Sequence, residues 1–122
     1  MPTIEINWSK LIPLNKENIE KLPNTGGVYR FSKKEKDGHY YVFFVGSSED
    51  LKERLLSCIS DKETNTGLRG YLSLGGDFSF RYALVNDKKQ QEAIERQMYK
   101  HYAPEYNLVE PQCSLDVEAN LI

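Results

Sequence analysis

The strongest constraint on the fold is the dipeptide Asp37-Gly38, which lies between two runs rich in aromatic and β-branched residues. Asp-Gly is a favoured hairpin sequence because both residues tolerate the positive φ angles that tight hairpin turns require. The runs at 28–33 and 40–46 are therefore predicted to be antiparallel neighbours in one sheet.

Two amphipathic helices are predicted downstream of this hairpin. The first is expected to begin at a Ser47 or Ser48 cap, and its apolar residues recur every fourth position, as on one buried helix face: Leu51, Leu55 and Ile59. The second, over 88–102, is the clearest helical pattern in the chain. It is expected to end before Pro104, which cannot continue a helix.

Shorter elements complete the pattern. A strand is predicted at 78–85, a short strand within 3–8, and a brief helix that Asn15 caps and Pro23 ends. The stretch 61–76 combines leucines at helical spacing with glycines and is compatible with a helix or an irregular segment. The order of elements predicts an α/β (α+β) fold: a small, three-stranded antiparallel sheet flanked by helices.

The length of 122 residues, 39% of them hydrophobic and 28% charged, predicts a single domain over 1–122 with one core. Cys58 and Cys113 are too few and too far apart to form the pattern of a secreted disulfide scaffold. The segment 1–10 has no apolar run of signal-peptide length, and no stretch approaches the length of a membrane span. We therefore expect a cytoplasmic protein with no membrane partner.

Five short segments resemble, in order and spacing, the signature of the GIY-YIG nuclease domain. They are Gly27-Val28-Tyr29, Phe44-Val45-Gly46, the helical segment around Arg54, Ala93-Ile94-Glu95, and Glu105-Tyr106-Asn107 after Pro104. Each segment is weak alone, but independent surface residues would rarely fall into one family's order. The match extends over about 22–108, which the resemblance marks as the domain core, and an acidic tail at 109–122 follows it.

The resemblance implies a metal-dependent endonuclease that hydrolyses phosphodiester bonds in DNA, in preference to RNA, with one Mg²⁺ or Mn²⁺ ion. It assigns catalytic roles to four residues: Tyr29 helps to activate water, Arg54 braces the scissile phosphate, Glu95 binds the metal, and Asn107 orients the site by hydrogen bonding. A guanidinium suits phosphate oxygens, and a carboxylate suits a hard cation. We expect the rings of Tyr29 and Phe44 to line the same surface as Arg54 and Glu95.

Three positions depart from the family pattern. Phe44 keeps the ring of the second motif's tyrosine but loses its hydroxyl, and Ser47 replaces a lysine that repair-type relatives carry. Cys58 lies one helical turn after Arg54, where many relatives have tyrosine or histidine. These changes favour the alternative of a weakened or inactive GIY-YIG-fold module that binds nucleic acid or protein. If the edge of the Phe44 ring faces a wet cleft, Phe44→Tyr should be tolerated and should maintain or raise cleavage.

Each candidate also has a purely structural explanation. Tyr29 is compatible with a half-buried strand position, Arg54 with packing along its own helix, and Glu95 with a solvated helix face. Asn107 after Pro104 is compatible with a turn. The joint order of these residues favours the nuclease.

The net charge of −2 argues against a strongly electrostatic, non-specific DNA-binding protein. The expected nucleic-acid surface consists, beside Arg54, of five basic residues: Arg30, Lys33, Lys34, Lys52 and Arg69. Specificity would then come from a protein partner, a homo-oligomer or a structured substrate. A third alternative is a subunit that docks on a partner through the acidic tail and its apolar residues Val117, Leu121 and Ile122.

Overall fold

The computed structural model of the protein describes residues 3–60, 63, 65–107 and 118–119, with 3–4 and 118–119 described as backbone only. In chain order its elements are β1 (Thr3–Ile4), β2 (Ile12–Pro13), α1 (Lys16–Glu20), β3 (Gly27–Lys34), β4 (Tyr40–Ser48), α2 (Leu51–Cys58), α3 (Thr66–Ser73), β5 (Phe78–Leu84), α4 (Lys88–Tyr102) and β6 (Glu118–Ala119). The predicted acidic tail at 109–122 lies outside the described residues apart from the backbone of β6.

Four antiparallel strands form the main sheet, in the order β2-β5-β3-β4. The predicted hairpin is confirmed: Tyr29 lies opposite Gly46 and Phe31 opposite Phe44, and Gly38 in the turn has a φ of 85°. The expected three strands gain a fourth, β2, at the edge beside β5. A strand of two residues is too short to show alternation in the sequence.

Two hydrophobic clusters cover opposite faces of this sheet. Tyr29 packs with α1, α2 and α3 in a cluster formed by Ile19, Leu22, Tyr29, Phe31, Phe43, Phe44, Leu51, Leu55, Cys58, Leu68 and Phe80. Val28, the preceding residue, packs with Ile94 and Met98 of α4. Successive strand residues point to opposite faces, so the sheet separates α2 from α4. We call these surfaces the α2 face and the α4 face.

The beginning of α2 differs from the prediction. Ser47 and Ser48 belong to β4, and Asp50 is the N-cap, where its carboxylate accepts a hydrogen bond from the backbone N–H of Glu53 at 3.1 Å. A carboxylate at this position also interacts favourably with the positive end of the helix.

The other helices show which of the remaining helix predictions are correct. The ambiguous stretch contains α3, which Asn65 caps by accepting a hydrogen bond from the N–H of Leu68 at 3.1 Å. The predicted bounds of α4 are confirmed, and Ala103, with a left-handed φ of 47°, ends it directly before Pro104. Within the described ranges, no helix has both the length and the apolar character of a membrane span.

Candidate active site

Tyr29 and Arg54 are joined by a hydrogen bond on the α2 face. The Tyr29 hydroxyl accepts it from Arg54 Nε at 3.2 Å, and the tyrosine side chain is almost fully buried. Burial raises the pKa of Tyr29 above its ordinary value of 10.0, an effect that the neighbouring Arg54 charge opposes. The phenol therefore remains protonated at neutral pH and keeps its own O–H as a donor.

Gly46 makes room for this tyrosine. It lies opposite Tyr29 in the β3–β4 pair, and a Cβ atom at this position would collide with the Tyr29 hydroxyl and ring. The Tyr29 ring therefore lies across the backbone of β4. Glycine is required here for close approach and not for an unusual φ angle.

Arg54 also forms an ion pair with Glu63, a residue that the sequence did not single out. Arg54 Nη1 lies 2.8 Å from Glu63 Oε2, and Nη2 lies 3.5 Å from Oε1. The Glu63 side chain is 1% exposed and that of Arg54 is 33% exposed. The guanidinium thus joins a buried carboxylate and the Tyr29 hydroxyl.

Cys58 lies on the same face, one turn after Arg54 on α2, and is buried. Burial raises the pKa of its thiol to about 12, and the Arg54 charge opposes this shift. The thiol also lies within hydrogen-bonding reach of Glu63 and Tyr29, and a neutral, enclosed thiol is a poor nucleophile or base.

Glu95 meets the site from the other face of the sheet. Ser47 follows Gly46 and therefore points to the α4 face, where its Oγ donates a hydrogen bond to Glu95 Oε1 at 2.6 Å. Burial raises the pKa of Glu95, whereas the Ser47 hydrogen bond and the Arg54 charge lower it. Glu95 thus approaches β4 from the α4 face and Arg54 from the α2 face, and the charge of Glu95 interacts with both Arg54 and Tyr29 across the end of this strand.

A groove of about 440 Å³ surrounds Glu95 between the end of β4 and the first turns of α4. Its lining is polar: Ser47, Ser48, Glu49, Lys88, Gln91, Glu92 and Glu95. In the described part of the chain, no group of three or more His, Cys, Asp and Glu side chains forms a metal cluster. Mg²⁺ commonly keeps several waters and takes one or two carboxylates, so this groove fits one hydrated ion on Glu95.

Asn107 acts on the site through the backbone of β4. Its Oδ1 accepts a hydrogen bond from the Val45 N–H, and its Nδ2 donates one to the Val45 carbonyl, both at 2.9 Å. Val45 lies between Phe44 and Gly46, so Asn107 holds the segment of β4 that carries Ser47 and contacts the Tyr29 ring at Gly46.

Comparisons with known proteins show which fold this chain has. No family model matches the chain. The magnesium-bound GIY-YIG N-terminal endonuclease domain of UvrC from Thermotoga maritima superposes with a TM-score of 0.61 and 22% identity, covering 76% of this chain and 94% of that domain. A point mutant of the same domain superposes with a TM-score of 0.61 and 20% identity, covering 77% of this chain and 94% of the mutant domain.

The chain has the GIY-YIG fold.

Two sequence relatives of this chain are named UvrABC system protein C. UvrABC system protein C of Rickettsia rickettsii is 29% identical over 111 residues, which are 91% of this chain and 16% of the relative. The Rickettsia bellii protein is 30% identical over 108 residues, which are 88% of this chain and 15% of the relative. The chain thus spans about one sixth of the length of these relatives.

Phe44 of the GIY-YIG domain belongs to the core. Its side chain is 6% exposed, and its ring centroid lies 6.2 Å from that of Tyr29 and 5.7 Å from that of Phe31. The ring is on the α2 face beside Tyr29, as expected, but it packs against apolar neighbours.

One of the five basic residues proposed as a nucleic-acid surface, Arg30, is withdrawn from the surface. Arg30 is 6% exposed on the α4 face, with its guanidinium 4.5 Å from the Trp8 ring centroid and 5.4 Å from that of Tyr102. Lys33 lies over the Tyr71 ring at 5.3 Å. The other three are exposed or partly exposed: Lys34, Lys52 and Arg69.

One contributor to the site was missed from the sequence. Glu63 is a single carboxylate in an irregular stretch, so no local pattern distinguishes it from a surface residue. Tertiary placement selects it, and a buried partner for Arg54 could have been expected only after the arginine was placed on a buried helix face.

Proposed function

We propose that this GIY-YIG domain is a metal-dependent endonuclease that hydrolyses phosphodiester bonds in DNA in preference to RNA. The observation that carries the proposal is the Arg54–Tyr29 hydrogen bond of 3.2 Å, formed beside the strand whose Ser47 binds Glu95 at 2.6 Å. The fold and the sequence match to UvrABC system protein C support it. Glu95 would hold one Mg²⁺ or Mn²⁺ ion.

Arg54 supplies the positive charge that a phosphodiester needs. A guanidinium presents several donors to phosphate oxygens and stabilises the charge that develops on them during displacement. Its side chain is one-third exposed, so a phosphate can reach it from solvent.

Tyr29 acts as a hydrogen-bond donor and not as a phenolate. Its hydroxyl accepts from Arg54, and burial keeps its pKa high, so it retains its proton; in this proposal that O–H is the donor to the phosphate or the attacking water. The divalent ion, when bound at Glu95, would supply Lewis-acid chemistry. Ser47 fixes the rotamer of that carboxylate through the hydrogen bond that it donates.

A binding module without cleavage is the second candidate. It is favoured by the buried hydrocarbon ring at Phe44 and the neutral, buried thiol at Cys58, neither of which can replace the polar groups of active relatives. In either case a protein partner or a homo-oligomer would supply the substrate specificity, and we propose the cytoplasm as the site of action.

The test is incubation of the purified protein with single-stranded, duplex and branched DNA in Mg²⁺, Mn²⁺ or EDTA. We expect strand cleavage with a metal ion and none with EDTA. Glu95→Gln should abolish cleavage while leaving the circular dichroism spectrum and DNA affinity largely unchanged, because it removes a charge and keeps the shape.

Glu92→Gln is the matched control, because Glu92 lines the same groove one turn earlier on α4. It should retain most of the activity. If the two variants lose activity equally, Glu95 contributes only to the overall charge of the groove. If the protein cleaves no DNA under any condition, a binding module is the better description of its function.

A further inference from the structure

The hydrogen bonds of Arg54 define which edge of its guanidinium faces a ligand. The bonds to Tyr29 and Glu63 use three of the five N–H donors, one each on Nε, Nη1 and Nη2. The group is planar, and the second Nη2 hydrogen points parallel to the Nε–H. A phosphate oxygen bound by this hydrogen would therefore lie beside the Tyr29 hydroxyl.

Glu63 is itself held from a second direction. It accepts a hydrogen bond from the backbone N–H of Asn65 at 3.2 Å, and the Asn65 side chain donates to the Tyr106 carbonyl at 2.7 Å while capping α3. Tyr106 precedes the asparagine that holds Val45. The anchor of Arg54 is therefore connected to the segment that fixes β4.

We propose that Glu63 is a positioning residue of the active site, which holds the Arg54 guanidinium with its phosphate-binding edge next to the Tyr29 hydroxyl. The inference rests on the proposed nuclease function. It goes beyond that function because it assigns the orientation of the arginine to one buried carboxylate outside the family signature. An arginine without this partner would sample other rotamers and would lose the alignment that the displacement needs.

A carboxylate on a phosphate-binding arginine could also act as a competitor that phosphate must displace. Its burial argues against this role. The Glu63 side chain is 1% exposed, so displacement would leave a buried carboxylate without its counter-ion, which is strongly unfavourable. Glu63 therefore remains in place while Arg54 binds its ligand.

The test compares Glu63→Gln and Glu63→Asp with the control Glu53→Gln, which removes the same charge from an exposed position beside Arg54. Two experiments are performed on each variant. The first records the ¹H–¹⁵N signal of Arg54 Nε–H, which is assigned by its loss in Arg54→Lys. The second measures DNA cleavage and gives kcat and KM. In the unaltered protein the Nε–H should be rigid and protected from solvent exchange.

We expect Glu63→Gln to make the Nε–H exchange-broadened and to lower kcat by roughly a hundredfold, with a smaller change in KM. Glu63→Asp should recover part of kcat because it restores the charge, and Glu53→Gln should change neither quantity. An unchanged Nε–H signal with unchanged kcat, or an increase in cleavage, would overturn the proposal.

The experiment distinguishes failure of the proposed endonuclease function from failure of the proposed role of Glu63. If the unaltered protein cleaves nothing, the endonuclease proposal fails. The Nε–H signal would still report whether Glu63 orients Arg54, and a rigid Nε–H in Glu63→Gln would overturn that role independently.

Discussion

Positions 44 and 58 show how a side chain from a functional position can become part of the core. Phe44 packs between the rings of Phe31 and Tyr29, and Cys58 lies beneath Arg54. Both are on the α2 face, where an added polar atom needs a partner. The chemistry left to the site therefore depends on Arg54 and Tyr29 on this face and on Glu95 from the other.

Phe44→Tyr should destabilise the protein, in contrast to the tolerance expected for a ring that faces a wet cleft. The new hydroxyl would be buried among aromatic rings, which costs about 1–3 kcal/mol when no hydrogen-bond partner is available. Urea unfolding measures the change, with Tyr40→Phe as a control at a position that is 41% exposed. Equal stability combined with faster cleavage would show that the ring edge reaches the active site.

The thiol of Cys58 should make the fold sensitive to alkali. Its pKa is raised from 9.0 to about 12 in the folded state, so the native protein retains a proton that the unfolded chain loses. The free energy of unfolding should therefore be unaffected by this group below pH 9.0 and should fall as pH rises from there toward about 12.

Urea unfolding across this pH range checks the sign, with Cys58→Ser as the variant whose alkaline loss should be smaller. The comparison is made in a Cys113→Ser background so that only one thiol titrates. A stability that rises with pH over the same interval would contradict the buried, protonated thiol.

At the level of elements, β4 connects the two halves of the site. Alternation along the strand places Gly46 against the Tyr29 ring and Ser47 against Glu95. A shift of one residue in the register with β3 would exchange these contacts between faces. The position of β4 is therefore a condition for the proposed catalytic site, and Asn107 helps to fix it.

Asn107→Ala should loosen β4 without unfolding the domain. Loss of two hydrogen bonds to the Val45 backbone should lower the free energy of unfolding by about 1–3 kcal/mol. Hydrogen exchange of the Val45 amide should accelerate, because that N–H loses its acceptor. Asn86→Ala, at an exposed position, should change neither the free energy of unfolding nor the exchange of the Val45 amide. Unchanged exchange of that amide in Asn107→Ala would rule out the hydrogen bond between Asn107 and Val45.

The elements that could be predicted are those with a local cause. The Asp37-Gly38 turn predicts the hairpin, and the spacing of Ile94 and Met98 predicts α4. The sequence pattern does not indicate which face of the sheet a helix covers, so it did not predict that Arg54 and Glu95 approach β4 from different faces. Burial of Arg30 between the rings of Trp8 and Tyr102 was missed for the same reason, because these partners are distant in sequence.

For the whole molecule, charge and size set the strength of nucleic-acid binding. The net charge is −2, and Arg30 is withdrawn from the surface. Lys33 is engaged over the rings of Tyr71 and Phe78, and the four remaining candidates for phosphate contact are Lys34, Lys52, Arg54 and Arg69. Such a set supports local contacts with a few phosphates and not a long electrostatic track.

Affinity for duplex DNA should accordingly be weak and moderately salt-dependent. Each neutralised phosphate contributes a slope of roughly −0.9 to log affinity against log salt. Four contacts predict a total slope no steeper than about −4. Fluorescence anisotropy titrations at about 50 to 200 mM salt measure this slope, and tight, salt-insensitive binding would point to a different kind of ligand.

Residues that follow α4 also cover part of a sheet edge at which a strand of another copy could otherwise pair. The strand β4 is at the edge of the sheet, and open edges invite strand addition and aggregation. Here the Tyr106 N–H donates to the Phe43 carbonyl at 3.1 Å, and Asn107 occupies both polar groups of Val45. The edge at Phe43 and Val45 is thus capped by two residues, which closes this part of β4 to another β-strand.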